Sequence, residues 1–128
     1  MVAPTSPIPP TQPDRLLSGQ GLLPGQSLTS PSGAFQLLLQ TDGNLVESSG
    51  GNGALADVWT SRTGGNVNIF DAVMQQDGNF VLYNTNGDPL FATGTVGNIG
   101  ATLFVQDDGN VVIYTTEGVA VFATAVVI

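Results

Sequence analysis

Cysteine is absent from the 128-residue sequence, so neither a disulfide framework nor a thiolate metal site can form. Histidine is absent too, which removes the usual general base at neutral pH, the commonest metal ligand and every catalytic triad built on imidazole. Positive charge is nearly missing: Arg15 and Arg62 face ten acidic residues, there is no lysine, and the formal net charge is −8. Such a chain repels phosphate backbones and anionic headgroups, so nucleic acid and membrane surfaces are not expected partners. No apolar run approaches the length of a membrane span, and no membrane insertion is expected. The first ten residues show neither a basic n-region nor a continuous apolar h-region. No signal peptide is therefore read, and a cytoplasmic protein or one exported by a non-classical route is expected.

The remaining composition is that of a folded chain, with 41% hydrophobic and only 9% charged residues. Its length suits one domain with a single core. Residues 1–13 hold five of the eight prolines and read as an extended arm, ordered only where something docks it. The compact domain is expected over residues 14–128. There, short β-prone segments alternate with glycine-containing turns, and no stretch keeps a helical period. Phe35–Leu39, Ala72–Gln76, Phe80–Tyr83, Thr102–Gln106 and Val111–Tyr114 are the clearest strands, spaced as in a sandwich, barrel or prism of hairpins.

Internal repetition is the dominant pattern. Gln40, Asp42, Asn44 and Val46 align without gaps with Gln75, Asp77, Asn79, Val81 and Tyr83, and with Gln106, Asp108, Asn110, Val112 and Tyr114. Each copy is followed by an aromatic block, at Trp59, Phe91 and Phe122. The Gln-to-aromatic distance is 16 residues in repeats two and three but 19 in repeat one, which places an insertion within Ser48–Gly53. Three such units suggest three equivalent sheets around a pseudo-threefold axis, none able to bury its apolar face alone.

The recurring polar residues stand at every second position, the period of a strand, so they share one outer face. Phe80, Leu82, Val111 and Ile113 alternate with them and should point into the core. The Asp-Gly-Asn centre is turn chemistry, because glycine accepts positive φ. An outer face carrying amides, a carboxylate, an aliphatic side chain and a phenol suits a sugar, whose vicinal hydroxyls need donors and acceptors side by side. No proton or electron transfer is needed, and no cofactor or metal. A purely structural reading stays open, since duplication copies a turn as faithfully as a site; the outer Gln and Tyr are what a turn does not require. A calcium repeat would need more carboxylates per unit. A glycosidase pair at Asp107 and Asp108 would place its two carboxylates on opposite faces of a strand.

The pattern Q-x-D-x-N-x-V-x-Y resembles the signature of the bulb-type (monocot, snowdrop-like) mannose-binding lectins, over roughly residues 15–128. That resemblance implies an all-β, β-prism II fold of three four-stranded antiparallel sheets, and no enzymatic activity. It implies that Asp77 and Asn79 hold the axial 2-hydroxyl of mannose, Gln75 the 3-hydroxyl and Tyr83 the 4-hydroxyl, while Val81 packs on ring carbons. Gln106, Asp108, Asn110, Val112 and Tyr114 take the same roles in repeat three. In repeat one, Ser48 replaces the tyrosine and Glu47 falls at the inward position of Leu82 and Ile113. A carboxylate there is costly to bury, so the strand is expected to end or change register, and the site of Gln40, Asp42, Asn44 and Val46 to be weak or absent. Plant members usually carry a disulfide, so the missing cysteines point to a bacterial member or an intracellular setting. Mannose-containing glycans are the implied partners, with a homodimer formed by exchange of the apolar C-terminal run Val119–Ile128.

Overall fold

The computed structural model describes residues 6–50, 56–66 and 68–124. Its strands are β1 (Arg15–Leu16), β2 (Gly21–Leu22), β3 (Ser27–Thr29), β4 (Phe35–Leu39), β5 (Leu45–Ser49), β6 (Ala56–Thr60), β7 (Ile69–Met74), β8 (Phe80–Asn84), β9 (Pro89–Ala92), β10 (Thr102–Val105), β11 (Val111–Tyr114) and β12 (Ala120–Ala123). They form three four-stranded sheets in the orders β3-β4-β5-β6, β2-β7-β8-β9 and β1-β10-β11-β12. Every pairing is antiparallel, which is the all-β, β-prism II architecture.

Each repeat supplies three consecutive strands of one sheet. The fourth strands all come from residues 15–29, so one short segment visits every sheet in turn. Leu16, Leu22 and Leu28, one on each of these strands, are 0–1% exposed. Burying each contributes about 2 kcal/mol, so this segment draws the three repeats around one core. Leu37, Leu82 and Ile113 meet there from the repeats themselves, and Trp59, Phe91 and Phe122 pack against that core from its margin. The Trp59 and Phe91 rings stand edge to face at 5.6 Å.

The alternation read from the sequence holds: Phe80, Leu82, Val111 and Ile113 are all buried in the core. Repeat one corrects an expectation. Strand β5 runs on through Glu47 to Ser49, and Glu47 is wholly buried rather than displaced. Its Oε1 accepts a hydrogen bond from Thr124 Oγ1 at 2.9 Å, a partner from the end of repeat three, while Oε2 has no partner among the described residues. That cross-sheet bond offsets part of the desolvation and explains why the strand need not end. A register shift does fall between Glu47 and Ser48, but the same bulge falls between Leu82 and Tyr83 and between Ile113 and Tyr114. It therefore belongs to the repeat and not to the carboxylate, and it sits where the strand must re-aim the last motif position.

Residues 51–53 of the Ser48–Gly53 insertion in repeat one lie outside the described residues, as do residues 125–128 of the C-terminal run. Strand β12 pairs with β11 of its own chain. Within the proline-rich segment, Ile8 bridges Gln20 in parallel, donating from its N–H to Gly19 O at 3.2 Å and accepting from Gly21 N–H at 2.9 Å.

Candidate functional site

The three motif turns have one construction. The Gln N–H donates to the Asn carbonyl, and the glycine N–H donates back to the Gln carbonyl, in all three repeats. In each, the Asn N–H donates to the Asp Oδ1 at 3.0 Å, at Asp42–Asn44, Asp77–Asn79 and Asp108–Asn110. Part of the motif is therefore scaffold: one carboxylate oxygen holds the turn, and the other is left for the outer surface.

The asparagine ties this turn to the chain beyond the third strand of its sheet. Asn79 Oδ1 accepts from Gly94 N–H at 2.9 Å, Thr95 N–H at 3.2 Å and Thr93 Oγ1 at 3.3 Å. Backbone donors can only meet an oxygen, so the amide nitrogen of Asn79 is the end turned outward, and it makes no bond among the described residues. Asn44 is held in the same way by Ser61 Oγ at 3.2 Å and Thr63 N–H at 3.3 Å.

The outer glutamine and tyrosine are joined. Gln106 Nε2 donates to Tyr114 Oη at 2.7 Å, and Gln75 Nε2 makes the same bond to Tyr83 Oη. Each phenol accepts there and keeps its own O–H to donate. In repeats two and three the structure thus brings together a carboxylate, two amides and a phenol, with donors and acceptors alternating. Val81 and Val112 stand on the same side but are 2% exposed, leaving only a small apolar area for a ligand.

Repeat one lacks this pairing. Ser48 is buried, with Oγ 3.4 Å from Asp57 Oδ1, so Gln40 has no phenol to anchor it. Gln40 and Asp42 border a shallow depression with Leu38 and Gly25.

The surroundings of the two complete motifs differ, in ways the sequence reading did not identify. The repeat-two groove, about 640 Å³, is lined by Gln75, Asp77 and Tyr83 and runs on to Pro7, Ile8 and Asp71. Asp71 is 3% exposed, and burial pushes its carboxyl up to about 6. Beside repeat three, Phe104 sets its ring edge-on to Tyr114 at 5.7 Å, and the Arg15 guanidinium lies 4.7 Å over the Phe104 ring. Parity could have found both residues: Asp71 and Phe104 share the strand face of Gln75 and Gln106. No group of three or more His, Cys, Asp or Glu is placed to hold a metal ion among the described residues.

No family model matches the sequence. Among curated proteins it is similar to Curculin-2 of Molineria latifolia, 38% identical over 71 residues. That match covers 56% of this chain and spans 41% of the curated relative's length. Among solved structures it is similar to a monomeric monocot mannose-binding lectin from Gastrodia elata, with TM-score 0.76 and 34% identity over 90% of this chain and 99% of that one. It is also similar to the mannose-specific agglutinin of snowdrop (Galanthus nivalis), solved with methyl-α-D-mannoside, with TM-score 0.70 and 35% identity over 84% of this chain and 94% of that one.

Proposed function

The chain belongs to the monocot, bulb-type mannose-binding lectins, a family of non-catalytic carbohydrate-binding proteins, and we propose that it binds mannose and α-linked mannose oligosaccharides through the grooves of repeats two and three. The observation that supports this most is the hydrogen-bonding state of the motif side chains. In repeat two, Asp77 offers an acceptor, Asn79 Nδ2 a donor, Gln75 its carbonyl and Tyr83 its hydroxyl proton, each with its other end fixed by the protein. Two vicinal hydroxyls, each donor and acceptor, can be held by such a set without reorganising it. Asp108, Gln106 and Tyr114 repeat the arrangement. In repeat one, Gln40 without its phenol makes a weaker site.

A shallow groove making a few hydrogen bonds gives millimolar single-site affinity, about −4 kcal/mol, so useful binding to a glycan surface comes from several sites at once. The test is calorimetric titration of methyl α-mannoside, with EDTA present, into the wild type and into Asp77→Ala plus Asp108→Ala. Heat in the wild type with two strong sites per chain, none in the double variant, and no effect of chelator is the expected result. Silence at tens of millimolar sugar sinks this reading and leaves the repeats as scaffold.

The reading also includes pairing of two copies by exchange of residues 119–128, supported by the apolar composition of that run. Sedimentation velocity should then give twice the 13.1 kDa chain mass. A single species of chain mass removes the exchange and leaves the sugar sites as they are.

A further inference from the structure

Asp71 is an acid with no evident reason to be where it is. It lies on β7 directly opposite Tyr83, on the same face as Gln75. Its side chain is 3% exposed, and Oδ1 is fully buried with no hydrogen-bond partner among the described residues. No cation faces it among the described residues: Arg15 is bonded to Asp14 at 2.8 Å, and Arg62 lies beside Asp57 and Trp59 on another sheet. The corresponding positions in the other sheets, opposite Tyr114 and Ser48, are Thr102 and Gln36. An unpaired carboxyl in an apolar wall is strongly unfavourable unless something donates to it.

The wall beside Asp71 is also peculiar to this sheet. Pro7 and Ile8 run along β2 and close that end of the repeat-two groove. The fit is tight enough that a Cβ on Gly21 would stand 2.8 Å from Pro7 Cβ. The groove thus continues from Gln75, Asp77 and Tyr83 into a recess walled by the N-terminal segment and lined by an unpartnered acid.

We propose that this recess is a second sugar subsite, in which Asp71 accepts, at Oδ2, the oxygen that is not fully buried, a hydrogen bond from a hydroxyl of the residue linked to the mannose held by repeat two. The proposal rests on the reading of repeat two as a mannose site. It makes the two complete sites unequal: repeat two takes a disaccharide, whereas repeat three presents Phe104 and Thr102 in the same place.

The test isolates repeat two in an Asp108→Ala background and titrates methyl α-mannoside and a panel of α-linked mannobioses, with and without Asp71→Val. Valine removes the acceptor, is close in size and suits a strand. The best mannobiose should bind about tenfold more tightly than the monosaccharide, the effect of one hydrogen bond to a charged group. Asp71→Val should abolish that advantage and leave monosaccharide affinity unchanged. Equal affinity for mono- and disaccharide with Asp71 present, or an advantage that survives Asp71→Val, overturns the subsite while leaving the mannose site standing. Absence of monosaccharide binding in the Asp108→Ala background instead overturns the repeat-two site, and the subsite with it.

Discussion

Acidifying this protein from about pH 7 to about pH 5 should raise its melting temperature by about 5 °C, where loss of stability on acidification is the common behaviour. The cause is two buried carboxyls. Burial pushes Asp71 from 3.8 to about 6 and nothing offsets it. Burial raises Glu47 as well, with the Thr124 hydroxyl opposing and the Asp108 charge adding. For both groups the folded state holds its proton more tightly than the unfolded chain. Stability is therefore fully present below the unfolded pKa and is lost as pH rises through the folded one. For Asp71 the window runs from 3.8 to about 6, a difference of about 3 kcal/mol, and Glu47 acts in the same direction. Neutralising part of a net charge of −8 adds to the effect. Below about pH 4 the trend reverses, because two carboxylates are held low in the folded state. The Arg15 guanidinium holds Asp14 down, and the Ser32 N–H does the same for Asp107. Thermal melts across this range should show a maximum near about pH 4–5. Asp71→Val should raise the melting temperature at neutral pH and flatten most of the acid side of the curve. A wild-type melting temperature that falls steadily from neutral to about pH 5 would remove the account.

The parts of this molecule legible in the sequence were those that repeat or alternate. Three copies of one motif gave three sheets, and parity along β8 and β11 separated Phe80, Leu82, Val111 and Ile113 from the outward Gln75 and Tyr83. What escaped was too short or too distant for any local pattern to carry. Strands β1, β2 and β3 have two or three residues each, too few for a period, although Leu16, Leu22 and Leu28 recur every sixth position. The burial of Glu47 depends on Thr124, 77 residues away. Asp71 could be placed on the outer face by parity alone. That Pro7 and Ile8 would border the same groove is a contact between segments more than sixty residues apart, and nothing local announces it.

Gly78→Ala should be among the most damaging single substitutions in the domain, costing about 2–5 kcal/mol, and the reason separates two roles of the motif glycine. Gly78 has φ +93°, which an alanine adopts only with strain of about 1–2 kcal/mol. A Cβ there would also meet the backbone of Asn98, at 2.4 Å from its oxygen and 2.7 Å from its carbonyl carbon. Backbone cannot rotate away, so the loop must move, with an overpacking cost of about 1–3 kcal/mol. That loop carries Gly94 and Thr95, whose N–H groups fix Asn79, and Asn98 is itself tied to Thr95 O at 2.8 Å. Displacing it unseats Asn79, so the sugar site proposed for repeat two should vanish along with the stability. Gly118→Ala is the control: φ is +84° and nothing lies within 4 Å of the added carbon, so strain alone remains and the loss should be about 1 kcal/mol. Gly109→Ala falls between, because its Cβ would meet only the Phe35 ring, at 3.1 Å, and a side chain can shift. Chemical denaturation of the three variants should rank them in that order. Equal losses at Gly78 and Gly118 would mean that φ, and not the close approach of Asn98, requires the glycine.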